Sequence, residues 1–473
     1  MDSYDRGVEA LMNGDCDLAI TCFDEAIRLD PRDPAAYGNR GTAYEEKGEF
    51  DKAIADYTEA IRLDPQLAMA YGDRGRVYIS KGEYDQAVAD YTEAIRLDPT
   101  NPIAHFYRGL GYSLTGDHDR AIHDLSEAIR LDPALARAYS ERGMLFGKKG
   151  DYDRTVADCT QAIQLDPTNP VPRYNRGDAY RKMGDLDQAI ADYTEAIRLA
   201  PNLAVAYDHR GTVYFEKGEC DKAFADFAEA IRLDPQFPDA YYDRGNVYSR
   251  TDKYDEAIAD YTEAIRLDPN LAMAYNNRGL AYANRGEIDE AIADYNEAIR
   301  LDPTLAEPYY NRGNDYGCRG ELDKAIDDFT EAIRLNPKLA NPFCDRGLAY
   351  SLTGDYDRAI DDLSEAIRLD PAFAKAYSER GAVYKNMADY DKAIADCTQA
   401  IRFDPTNPIP HDNRGGSYFE RGEFDKAVAD FTEAIRLAPT RPEPYLRRAA
   451  AYRALGEEEK AAEDERKAQE LMK

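Results

Sequence analysis

Tryptophan is absent from these 473 residues, histidine occurs five times and cysteine seven. Five scattered histidines leave little for a metal centre: His105, His118 and His123 are the nearest thing to a cluster, yet they lack the i, i+4 spacing that sets two imidazoles on one helix face, and solvated surface positions are expected for them. The cysteines are odd in number, form no Cys-x-x-Cys pair, and place Cys159 and Cys397 where equivalent stretches carry Tyr or Phe. They read as small core hydrophobes in a reducing compartment. No apolar run approaches the roughly 18 residues of a membrane helix, and no basic stretch followed by an apolar one opens the chain, so a soluble, cytoplasmic protein is expected. Basic residues are also short, 60 against 91 acids, for a net charge of -31. Such a polyanion repels nucleic acid phosphates and anionic membrane surfaces, and other proteins, through basic or amphipathic segments, are the expected partners. Glycines fall at helix-packing and helix-end positions, which excludes a phosphate-binding loop. Carboxylates recur at the same places throughout, as a scaffold requires and an active site does not; no enzyme activity, cofactor or metal is expected.

What the chain does have is repetition. Residues 55–65, Ala-Asp-Tyr-Thr-Glu-Ala-Ile-Arg-Leu-Asp-Pro, return unchanged at 89–99 and 259–269, and the closing proline stands at 31, 65, 99, 133, 167, 201, 235, 269, 303, 337, 371, 405 and 439. A 34-residue period without a slip predicts a solenoid of supersecondary units and one continuous array. The fourteen units are 1–33, 34–67, 68–101, 102–135, 136–169, 170–203, 204–237, 238–271, 272–305, 306–339, 340–373, 374–407, 408–441 and 442–473. Within the second unit, Asp33 and Pro34 suit the start of a helix, Gly48 suits its left-handed end, Asp51 is expected to cap a second helix, and Pro65 stops it. Ala53, Ile54, Tyr57, Ala60, Ile61 and Leu63 keep helical spacing between these signals. A pair of helices this small cannot bury enough surface alone, so units must stack.

These residues resemble the tetratricopeptide repeat family, whose pattern is W-x-x-L-G-x-x-Y, then A-x-x-x-F, a further Ala and a Pro. With Gly41 as position 8, Gly holds that position in thirteen units, Ala holds position 20 in thirteen and position 27 in all fourteen. The resemblance implies an all-α, right-handed superhelical solenoid whose first helices line a concave face that takes extended peptides or partner helices. Two positions depart from the family together. Position 7 is Arg in all fourteen units and position 23 is Asp in thirteen, as in Arg40 and Asp56; a bidentate contact between the two helices of a unit is expected, specifying register more than adding stability.

On the groove side the resemblance points to position 6, which holds Asn39, Asn175, Asn277, Asn311 and Asn413 interleaved with Asp73, Asp243 and Asp345, and to position 5, with Tyr242 and Tyr310. Amides and carboxylates repeated at one height suit a peptide backbone and basic side chains, and they are expected to face solvent when the groove is empty. The Lys and Asn set with which some family members grip a terminal carboxylate does not assemble: Lys375 is the only lysine at position 2, and Arg447, the only arginine at position 6, lies two units away. A second periodicity overlies the first, since residues 112–143 and 350–381 match at 28 of 32 positions, an offset of 238 residues or seven units. The leading reading is a non-enzymatic scaffold that binds proteins in an acidic, Asn- and Asp-lined groove. Its rival is a structural protein that self-associates through the array.

Overall fold

Proline at a helix start and glycine beyond its end set each unit's first helix. In the computed structural model, which describes residues 2–472, Asp33 Oδ1 accepts the Ala35 amide at 2.9 Å and the helix runs over Pro34–Glu46. Gly48 then takes φ = 74°, a conformation without steric cost only for glycine. The second helix, Phe50–Leu63, ends ahead of Pro65. The same pair recurs throughout, giving twenty-eight helices and no strand among the described residues. The fold is an all-α solenoid of stacked helix pairs.

The cap of the second helix lies earlier than expected. Asp51 is inside the first turn, and the capping residue is Glu49, which makes no side-chain cap bond. Where that position is aspartate the cap closes, as when Asp15 Oδ1 accepts the Leu18 amide at 3.1 Å. The shorter side chain reaches the N3 amide. The longer Glu49 reaches past it to Lys52, 2.5 Å away.

Packing divides the chain into two compact halves, one up to Gln236 and one from Phe237. Within each half, successive first helices touch while successive second helices do not, so in each half the first helices form a continuous face. Alanines at positions 20 and 27, such as Ala53 and Ala60, are fully buried, and the ring at position 24 fills the space beneath Gly at position 8.

The Arg and Asp pair forms in thirteen units. Arg40 donates from Nε to Asp56 Oδ2 and from Nη2 to Oδ1, each at 2.7 Å, and the same fork recurs through Arg448 and Asp464. A third arm was not anticipated: Nη1 of most of these arginines reaches back to position 25 of the preceding unit, as from Arg74 to Thr58 Oγ1 at 2.9 Å. One guanidinium thus pins three helices.

Two units lack the turn glycine and keep its backbone: Asp252 has φ = 58° and Ala388 has φ = 59°. Asp252 gains a compensating bond from the Tyr254 hydroxyl at 2.7 Å. Ala388 carries the strain of a Cβ in that region, about 1 kcal/mol relative to glycine. Amides over 386–390 are expected to exchange faster than those over 352–356, and Ala388→Gly is expected to slow them severalfold. Equal protection of the two segments in the native protein refutes the strain argument.

Candidate functional site

Positions 5 and 6 meet between units. Asn39 Nδ2 donates to Tyr4 Oη at 2.9 Å, and Tyr310 Oη donates to Asp345 Oδ2 at 2.8 Å. In the second half this contact grows into a network. Asn277 Nδ2 donates to Tyr242 Oη at 3.1 Å and to Asn246 Oδ1 at 2.9 Å, Asn276 Nδ2 donates to Asn277 Oδ1 at 3.0 Å, and Asn311 Nδ2 donates to Asn276 Oδ1 at 3.1 Å. Tyr261 Oη also donates to Asn246, at 2.8 Å. Asn39, Asn277 and Asn311, expected to stand free, are therefore half-buried and bonded to side chains of the preceding unit. Helix packing brings position 5 of one unit against position 6 of the next, and polar groups at that depth need partners.

The acids of the row differ in setting. Burial pushes the Asp73 carboxyl up to about 6, against the pull of neighbouring Arg76. Asp345 is held by the Lys375 ammonium at 2.6 Å as well as by Tyr310. Asp243 accepts a long bond, 3.4 Å, from Asn246. Two histidines depart from the solvated placement expected for them: His105 and His411 are each 7 % exposed and face Asp124 and Asp430 at 3.7 and 3.5 Å. They occupy position 4, elsewhere mostly a half-buried Tyr, and inherit its depth.

The row opens into clefts at two places. In the first half, a cleft of about 490 Å3 lies between the helices Ala136–Lys148 and Val171–Met183, lined by Met144, Lys148, Asn175, Asp178, Arg181 and Lys182 among others. Asn175 Nδ2 is buried there and meets no acceptor among the described residues. Asp178 is taken by Tyr193 at 2.5 Å and His209 at 2.7 Å, and Arg181 by Glu216 at 2.9 Å. In the second half, a cleft of about 360 Å3 is lined by Lys385, Tyr390, Gly416, Phe419, Phe431 and Arg447 among others. Asn413, 8 % exposed, accepts from Nζ of the lining residue Lys385 at 2.6 Å.

The two clefts stand seven units apart in sequence, since Lys385, Tyr390, Gly416, Phe419 and Arg447 of one answer, at the 238-residue offset, to Gly147, Tyr152, Asp178, Arg181 and His209 of the other. At both joints position 24 is a cysteine. In most other units position 24 is a ring, and Tyr57 packs against Val77 of the next first helix. Cys159 and Cys397 are too small to hold that helix off, and at their joints neighbouring first helices come closer together than at the other joints within each half. Both thiols are wholly buried, and burial pushes both up to about 12, which leaves them inert packing groups. Leu125 and Leu363, branched and larger, keep the ordinary spacing. The asparagines at 175 and 413 and the cysteines were each visible in the sequence; their conjunction was not.

Among the described residues no group of three or more His, Cys, Asp or Glu is arranged to hold a metal ion, and no helix is long and apolar enough to cross a membrane.

Sequence-family models described as tetratricopeptide repeat match residues 4–68 and 242–306, 136–169, 306–339 and 374–407, 159–191, and 102–135. Another, described as TPR repeat, matches 75–116, 177–218, 211–252, 352–387 and 415–456. Among solved structures, the APC/C hetero-tetramer Cut9-Hcn1 is similar over 94 % of this chain and 95 % of that one, at 16 % identity and a TM-score of 0.50. MamA is 31 % identical over 34 % of this chain and 95 % of its own, with a TM-score of 0.32. YrrB, described as a TPR protein with an unusual peptide-binding site, is 28 % identical over 38 % of this chain and 92 % of its own, with a TM-score of 0.33.

Proposed function

The chain belongs to the tetratricopeptide repeat family, and from that premise we propose that it is a non-enzymatic scaffold that holds segments of other proteins against the face of its first helices. The observation that carries this reading is that in each half the polar row and a cleft lie on that face, the cleft at the same joint of each copied block. The row of Asn39, Asp73, Asn175, Tyr242, Asp243, Asn277, Tyr310, Asn311, Asp345 and Asn413 offers amides, hydroxyls and carboxylates at intervals of one to three units. An extended backbone can exchange hydrogen bonds with such a row wherever it runs, and the acids favour basic or amphipathic segments over acidic ones along most of it.

The test is the double substitution Asn277→Ala with Asn311→Ala. Because these amides also bond to each other's neighbours, a small loss of stability accompanies the loss of binding. Affinity for a partner recovered by pull-down is expected to fall by about 1 to 3 kcal/mol, about one hydrogen bond each, and to fall further as salt rises. Cross-links between partner and chain are expected on first helices such as Ala272–Arg285. Unchanged affinity, with cross-links on second helices such as Ile288–Leu301, overturns the reading.

A further inference from the structure

Lys385 is an unusual groove residue. Its side chain is half-buried and its ammonium donates to a neutral acceptor, Asn413 Oδ1, at 2.6 Å. Arg447 lines the same cleft and is paired with Asp412, itself only 5 % exposed, whose Oδ1 meets no donor among the described residues. Burial, and then the charge of Arg447, pull the Lys385 ammonium below its ordinary range. Two cations therefore line a cleft together with one carboxylate, the exposed Glu420, while Asp412, outside the lining, is engaged on the arginine. Beside them the cleft is aromatic, with Phe419, Tyr390 and the nearly inaccessible Phe431. Its opening depends on Gly416: a Cβ there would first meet Lys385 Cδ, 3.6 Å away.

Charge along the rest of the face gives this cleft its meaning. Positions 6, 9, 12 and 13 of the fourteen units hold eight basic residues, Arg76, Lys148, Arg181, Lys182, Arg250, Lys385, Arg447 and Arg453. Five of the eight line one of the two clefts. Of the others, Arg76 is neutralised by Glu45 and Asp73, and Arg453 by Glu465. Cations have thus gathered at the same joint of both copies, although at different positions within it, on a chain of net charge -31.

Building on the first-helix face as the binding face, we infer that the cleft of units 12 to 14 anchors an acidic side chain of a partner segment, its carboxylate between Lys385 Nζ and Arg447 and an adjoining apolar residue on Phe419 and Tyr390. The polar row approaches the cleft through Asp345 and the half-buried Glu379, so the segment passes through and the acid is an internal one. A carboxylate there relieves the repulsion between the two cations and replaces the water they lose. Because most of the face disfavours acids, such an anchor sets the register of the bound segment.

The probe is a fluorescent, acetylated and amidated peptide alternating Leu and Glu, compared by anisotropy with its Gln and Lys counterparts, while the reaction of Lys385 with an amine reagent is followed by mass spectrometry. The Glu peptide is expected to bind at least about tenfold more tightly than the Gln peptide and to protect Lys385 from modification. Lys385→Met and Arg447→Gln are each expected to remove most of that preference. Gly416→Leu fills the cleft while replacing a glycine within a helix by a strong helix former. Loss of Lys385 protection and of Glu binding in that variant is expected even if the charge variants fold poorly. Equal binding of the Glu and Gln peptides, an unprotected Lys385, or undiminished binding to the Gly416→Leu protein overturns the proposal. If that happens while partner cross-links still fall on first helices, the scaffold reading stands and the anchor alone fails.

Discussion

Arg278→Met is expected to destabilise its unit by about 3 to 5 kcal/mol, the loss that follows when one member of a buried ion pair is removed and the other remains. Asp294 is 7 % exposed and accepts Arg278 Nε at 2.7 Å and Nη2 at 2.8 Å, while Nη1 reaches Thr262 at 3.1 Å. Without the guanidinium, a carboxylate stays in the crevice with neither cation nor water, and the link to the preceding unit goes as well. Removing both charges with Arg278→Met and Asp294→Leu is expected to recover most of the loss, because well-packed apolar replacements of buried pairs are often neutral or better. Stability in a repeat array is local, so the readout is amide exchange over 272–301 compared with a distant unit. A single variant within about 1 kcal/mol of the native protein, no worse than the double one, shows the contact to be an ordinary surface pair.

The Arg and Asp clasp was legible because both of its partners lie within one unit, sixteen residues apart, and recur together. The unit boundaries were legible for a similar reason: Pro65 and its counterparts act on the backbone itself and need no tertiary context. The setting of the groove amides was not legible because their tyrosine partners are thirty-five residues away in the preceding unit, at a distance set by how closely helices stack. The second-helix cap was not legible because Asp51 and Glu49 are both acidic and near the start, and the cap falls on Glu49, whose side chain is too long to close it. The clefts were least legible. They accompany the close joints at Cys159 and Cys397, and a small residue in a pattern signals such a joint only once the helices that close upon it are seen.

Tyr295→Ala tests that account of the close joints. The ring is 1 % exposed and wedges beneath Gly279, where a Cβ would lie 2.8 Å from Cε1 and 3.1 Å from the Ala291 carbonyl oxygen. Truncating a buried aromatic costs about 3 to 5 kcal/mol, and less where the surroundings can collapse. The joints at Cys159 and Cys397 show the collapse available to this architecture, since there the Sγ atoms lie 3.0 and 2.8 Å from where Cβ atoms on Gly143 and Gly381 would stand. The cost is therefore expected at the lower end of that range, with a measurable movement: spin labels on Asn284→Cys and the exposed native Cys318, on the first helices of units 9 and 10, should approach each other. Gly279→Ala should couple to the truncation. Alone it forces the ring aside, an overpacking cost of about 1 to 3 kcal/mol, whereas in the Tyr295→Ala background the added methyl enters vacated space. The last unit already shows the paired change, carrying Ala449 at position 8 and Glu465 in place of the ring. If Tyr295→Ala leaves the label distance unchanged and the two substitutions add without coupling, the ring is not the spacer between first helices, and the closeness of the copied joints needs another cause.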